Sequence, residues 1–118
     1  MVDEAHRTYQ LLIEVTKTVI VQVGRLGCFE FVAGNYIYTG SALRNFEARI
    51  QRHQSAVKKM HWHIDYLLAA PGVRVREVLR YTEAECGINQ QVVGAITVPG
   101  FGATDCRTGC GSHLKRLP

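Results

Sequence analysis

No basic-then-apolar stretch of the kind that marks a secretory leader opens this sequence, and no apolar run approaches the ~18 residues of a membrane span. Internal repeats, low-complexity tracts and a dividing linker are also missing. These absences predict a soluble, cytoplasmic protein with no membrane partner, organised as one domain over residues 1–118. Charged residues are only 20% against 47% hydrophobic, which excludes a disordered chain. At 118 residues there is room for one core and not for two. Cysteine is scarce, at Cys28, Cys86, Cys106 and Cys110. Without a leader these read as reduced thiols or metal ligands rather than a disulfide framework.

The net charge is +4 with a pI near 9.0, a mild bias. Its distribution says more. Between Leu43 and Met60 lie Arg44, Arg49, Arg52, Lys58 and Lys59, opposed only by Glu47. Such a run is either a solvated helix face or a footprint for a polyanion.

The pattern along the chain is α+β. Tyr9–Val15 and Thr18–Val23 are rich in aromatic and branched residues and read as strands. Lys17 marks a short polar break, and the spacing predicts that these two strands form a hairpin. Cys28–Val32 and Tyr36–Thr39 continue as strands after the turns GRLG and AGN, so the first forty residues predict an antiparallel meander. Gly40-Ser41 then stops the strands, and Ser41 is a suitable N-cap for a helix from about Ala42. In that helix Leu43, Phe46, Ile50 and Val57 share a stripe. At roughly 100° per residue, His53 falls beside the stripe and Arg49 further round the same side, while Arg44 and Arg52 point away.

A second, shorter helix is predicted over His61–Ala70, ended by Pro71-Gly72. Val73–Tyr81 alternates like a strand, with Arg74, Arg76 and Arg80 on one side. Thr82 is the expected N-cap of a third helix, in which Gly87 is a weak point. The glycine-rich tail closes with a short strand around His113–Leu117.

Four groups of residues have chemical potential. Tyr9 and Tyr38 on strands, with Arg49 and His53 on a helix, suit a phosphodiester site. A phenol can orient or deprotonate a nucleophile, an arginine can bind phosphate through two hydrogen bonds, and Gly40 lets a ligand approach the backbone. The same residues also read as ordinary strand tyrosines over a helix. Glu85 is either a solvated carboxylate or, with phosphate oxygens and water, a magnesium ligand. HWHID contains His61, His63 and Asp65; His61 and Asp65 are four apart and share a helix face, as a metal site or as structural partners. Cys106, Cys110 and His113 in CRTGCGSH have spacing that permits three zinc ligands, or are thiols that close the tail.

Taken in order, these stretches resemble the GIY-YIG nuclease superfamily, and more closely an uncharacterised prokaryotic branch marked by YIYTGSALRNFEARIQRH, HWHIDYLL, EAEC and GFGATDCRTGCGSHL. The resemblance covers nearly the whole chain. It implies a small antiparallel sheet flanked by about three helices, with an extra β-hairpin between the two half-motifs. The first half-motif falls on Arg7-Thr8-Tyr9, with Arg7 where the family has glycine, and the second on Tyr38-Thr39-Gly40. The resemblance implies a metal-dependent endonuclease acting on DNA, with RNA the alternative polymer. Tyr9, Tyr38, Arg49 and His53 would be catalytic, and Glu85 would hold one Mg²⁺ or Mn²⁺. Gly40, Ser41, Arg44, Arg52, Lys58 and Lys59 would meet the substrate. The family's late asparagine has no counterpart, and with Arg7 this motivates a rival reading, a basic nucleic-acid-binding module that does not cut. A zinc-stabilised interaction protein built on Cys106, Cys110 and His113 is the third reading.

Overall fold

The computed structural model describes residues 6–42, 44–55, 60, 62–102 and 110–118. The central strand, β1 (Thr8–Val15), turns Tyr9, Leu11, Ile13 and Val15 to one face, each no more than 2% exposed. Both edges of β1 are occupied. β4 (Gly34–Ser41) pairs antiparallel on one side and β5 (Val73–Tyr81) on the other. A short β6 (Leu114–Arg116) extends β4, giving the order β5-β1-β4-β6. The strands β2 (Val19–Val23) and β3 (Gly27–Phe31) form a separate two-stranded sheet.

The predicted pairing of the first two strands is therefore corrected. The polar break steers the chain toward β5 instead. Thr16 gives both its N–H and its hydroxyl to Gly72 O, at 2.9 and 2.8 Å. With β4 and β5 already bonded to it, β1 has no edge left for β2. The β2–β3 hairpin stands between β1 and β4 as an insertion, and it buries Val21, Val23 and Phe31 in the common core.

Among the described residues three helices complete this small α+β domain: α1 (Phe46–Gln54), α2 (His63–Leu68) and α3 (Glu85–Gln90). Ile50 of α1, with Ile64 and Leu67 of α2, joins the odd-numbered face of β1 in the core. The even-numbered face is more polar, and α3 lies along it against β1 and β4. Lys115, only 8% exposed, ties β6 to α3 by donating to Asn89 O at 2.7 Å and Val92 O at 3.3 Å. A lysine there satisfies carbonyls that a helix end leaves without partners.

Two helix starts differ from expectation. Ser41 does not cap α1. It is the last residue of β4, and Ala42 N–H still bonds Arg7 O at 3.0 Å, so the ladder outruns the turn signal. Asn45 then adopts a left-handed conformation (φ 53°) and α1 begins at Phe46; asparagine tolerates this region better than most residues. Likewise Thr82 does not cap α3, which starts at Glu85 after Ala84. The Thr82 hydroxyl turns to Glu83 Oε1 at 3.2 Å. Of the residues assigned to the α1 stripe, Leu43 and Val57 lie outside the described residues.

The arginines of β5 do not share one side. A register shift between Leu12 and Ile13 changes the phase of the strand. Arg74 and Arg76 meet Glu14 on one face, while Arg80 pairs with Tyr9 in register and reaches Glu47 of α1 at 2.8 Å. Among the described residues, no helix is long and apolar enough to cross a membrane.

Candidate active site

β1 and β4 place Tyr9 directly opposite Gly40. A Cβ at position 40 would lie 2.5 Å from the Tyr9 hydroxyl oxygen and 2.6 Å from its Cζ. Gly40 is thus the gap through which the Tyr9 ring crosses the strand. A second glycine does the same for Tyr38. Gly102, at φ +67°, brings its backbone so close that a Cβ would stand 2.9 Å from Tyr38 Cε1.

Both phenols open onto one cleft of about 460 Å³, lined also by Ser41, Arg49, Trp62, Glu85, Cys86 and His113. The Tyr9 hydroxyl shares a 2.7 Å hydrogen bond with His53 Nε2. His53 is not at the border of core and solvent. It is 2% exposed, packed between the rings of Tyr9, Tyr38 and Trp62 at centroid distances of 5.3, 6.3 and 6.0 Å. Burial pushes the Tyr9 phenol well above its ordinary value, with Arg49 opposing and Glu85 reinforcing the shift. Tyr38 is raised for the same first reason, with Tyr9 adding to it.

Arg49 leaves α1 toward the cleft. It donates from Nη1 to Ser41 O at 2.7 Å and lies over the Trp62 ring, 4.6 Å from its centre. Among the described residues it forms no ion pair, so its charge is not spent on a carboxylate of the fold. Arg52, three residues on, is placed differently. It grips Asp65 of α2 through two hydrogen bonds at 2.8 and 2.9 Å while also lying over Trp62 at 4.4 Å. Asp65 is wholly buried and reaches back to Trp62 N–H at 2.8 Å, fixing the first turn of α2. The expectation that Arg52 points away is corrected: its guanidinium joins α1 to α2.

Glu85, the first residue of α3, faces the same cleft. Its Oε1 accepts from Ser41 Oγ at 2.5 Å, and its Oε2 meets His113 Nδ1. Burial works against its charge, but the hydrogen bonds from His113 and Ser41, with Arg49 nearby, prevail and hold the carboxyl below its ordinary value. Ser41 therefore acts through Glu85 rather than as a helix cap.

The other sequence candidates separate. His63 Nδ1 accepts the Gly102 N–H at 2.9 Å, and its ring lies 5.6 Å from Phe101. With His63 bonded to backbone and Asp65 bonded to Arg52, these two residues of HWHID hold the fold together. Arg44 is exposed and is not among the residues that line the cleft. Lys58, Lys59, His61 and Cys106 lie outside the described residues. Two participants escaped the sequence reading. Trp62 and Cys86 line the cleft, although neither is singled out within the stretches HWHIDYLL and EAEC that contain them.

The family model for the domain of unknown function DUF123 matches residues 8–118. The chain belongs to the DUF123 family. No curated protein and no solved structure matches it. The DUF123 match begins at β1 and runs through β6, so it takes in every element that forms the cleft.

Proposed function

We propose that this DUF123 domain is a metal-dependent endonuclease of the GIY-YIG type that hydrolyses phosphodiester bonds in DNA. One observation carries the reading: Tyr9, Tyr38, Arg49 and Glu85, from four separate elements, line a single cleft. A base, a phosphate-binding cation and a carboxylate within one cavity are the parts that phosphodiester hydrolysis needs.

A raised phenol is a poor phenolate at neutral pH, so Tyr9 works best as a relay. It can take a proton from water as it passes its own to His53 Nε2, 2.7 Å away. Arg49, anchored by Ser41 O and stacked over Trp62, offers its remaining N–H groups to the phosphate and balances charge as it grows. Glu85 suits a hard cation: it is ionised, and its two hydrogen bonds leave about half of the roughly four lone-pair sites of a carboxylate for other partners. A Mg²⁺ or Mn²⁺ on Glu85 supplies Lewis-acid stabilisation of the leaving oxygen. Arg7, where the GIY-YIG half-motif has glycine, is exposed and outside the cleft lining, so its side chain does not fill the site.

The test is a gel assay with labelled single-stranded, duplex, nicked and branched DNA, with manganese or with chelator. Cleavage is expected with manganese only, and the Arg49→Ala and Glu85→Ala variants are expected to lose about 10²–10³-fold or more in rate. Cleavage that survives both substitutions defeats the proposal. Salt-sensitive shifted bands without product would favour the second reading, a binding module that does not cut, for which the lack of the family's late asparagine already speaks.

A further inference from the structure

We propose that Cys86, Cys110 and His113 bind one zinc ion, and that Glu85 is the outer partner that orients the histidine. This site does not depend on the nuclease reading. The three ligand atoms all lie within 4.8 Å of one another, and Cys86 Sγ is 4.0 Å from His113 Nε2. A tetrahedral zinc centre with bonds of about 2.3 Å to sulfur and 2.0 Å to nitrogen places its ligand atoms about 3.5–3.8 Å apart. The thiols and imidazole therefore need to close by at most about 1.3 Å, within the reach of side-chain rotation.

The surroundings are those of a metal-ligating histidine. His113 is 2% exposed, and its Nδ1 side is directed to Glu85 and, at 3.3 Å, to Thr39 O. That leaves Nε2 as the atom turned to the sulfurs. A ligating imidazole normally gives its other ring N–H to a carboxylate or carbonyl, which sets the tautomer and raises its basicity. Glu85 is itself held by Ser41 at 2.5 Å. On the other side Gln90 Nε2 donates to Cys110 Sγ at 3.7 Å, a contact that favours thiolate.

The two segments that supply the ligands are already stapled together. Asn89 of α3 donates to Ser112 O at 2.9 Å, and Ser112 Oγ donates to Leu114 O at 3.0 Å. The cleft thus holds two chemically different cation positions. The carboxylate oxygens of Glu85 suit a hard ion, and two sulfurs with one nitrogen select a softer one such as zinc. The sequence spacing that drew attention to Cys110 and His113 pointed to Cys106 as their companion. Among the described residues it is Cys86, 24 residues before Cys110, that stands beside them, and Cys106 lies outside those residues.

The proposal is tested on the full chain with Co²⁺ as a spectroscopic probe and with elemental analysis after expression in zinc-supplemented medium. About one equivalent of zinc is expected per chain. Titration with Co²⁺ should give thiolate-to-metal charge-transfer absorption and tetrahedral visible bands that saturate at the same stoichiometry. Cys86→Ser and Cys110→Ser should each lose the charge-transfer intensity of one thiolate. Cys28→Ser, on exposed β3, should leave the spectrum as it is. Glu85→Gln should weaken binding about 10–100-fold while keeping the spectral shape, as expected of an outer partner. If a serine variant fails to fold, the wild-type spectrum decides alone, because two thiolates on cobalt can be counted from its intensity. Zinc below about a tenth of an equivalent together with a cobalt spectrum lacking thiolate bands overturns the site. A Cys86–Cys110 disulfide found by mass spectrometry in protein kept under reductant overturns it as well.

Discussion

Gly40 gives the sharpest test of how the cleft is built. The Gly40→Ala variant adds a single methyl, yet that carbon would arrive 2.5 Å from the Tyr9 oxygen, 2.6 Å from Cζ and 3.0 Å from Cε1. Tyr9 is 2% exposed and packed against Phe46, His53 and Tyr38 at ring distances of 5.9, 5.3 and 6.5 Å. Overfilling a packed site costs about 1–3 kcal/mol. Turning the ring aside also sacrifices the buried bond to His53, worth about 1 kcal/mol. The expected loss is about 2–4 kcal/mol, or roughly 8–16 °C in Tm for a domain of this size. The same substitution at Gly87 should do the reverse. A Cβ there meets nothing within 4 Å, and α3 should gain about 0.5–1 kcal/mol from a better helix former. Urea denaturation and thermal melts of the two variants give the comparison directly. In the Gly40→Ala background, Tyr9→Phe should recover only part of the loss, since the ring carbon at 2.6 Å remains. A Gly40→Ala protein within about 0.5 kcal/mol of wild type would refute the reasoning, because it would mean the tyrosine does not cross over the glycine.

Two further outcomes follow from the same geometry. Arg52→Ala strips the guanidinium from wholly buried Asp65; breaking such a pair costs about 3–5 kcal/mol, and the part-exposed arginine argues for the lower end, so a melt should fall steeply, whereas a cost under about 1 kcal/mol would return Arg52 to the surface role that its sequence position suggests. Burial lowers the His63 imidazole below its ordinary value of 6.5, in keeping with Nδ1 accepting the Gly102 N–H. A group with a depressed folded value contributes stability that is present above 6.5 and lost as the pH falls through the folded value, so urea midpoints should drop more for wild type than for His63→Gln on acidification, with parallel curves counting against it.

Much of the domain could be read from local pattern. The strands β1, β3, β4 and β5 announce themselves through alternation and turn residues, and their bounds fall within about two residues of those observed. What local pattern does not contain is partner choice. The break at Thr16–Thr18 looks like a hairpin turn, and only the Gly72 carbonyl, more than fifty residues away, shows why it is not one. Ser41 and Thr82 carry the chemistry of helix caps, but each hydroxyl has a glutamate oxygen within reach and turns to it. Helical phase placed Arg49 near the cleft because that depends only on its own turn. It put Arg52 in the open because the Asp65 carboxylate comes from another helix. The same limit hid Cys86, whose companions arrive with the tail.

The single tryptophan of the chain lies where Arg49 and Arg52 both meet its ring, at 4.6 and 4.4 Å from the centre, on the wall of the cleft. Indole emission responds to the charge at its face. Arg52 is tethered to Asp65, so Arg49 is the guanidinium that a bound anion can draw away. The domain therefore carries a built-in optical reporter: titration with a phosphodiester is predicted to change its fluorescence in the wild type and leave it unchanged in Arg49→Ala, which would let occupancy of the cleft be followed by light without any assay of cleavage.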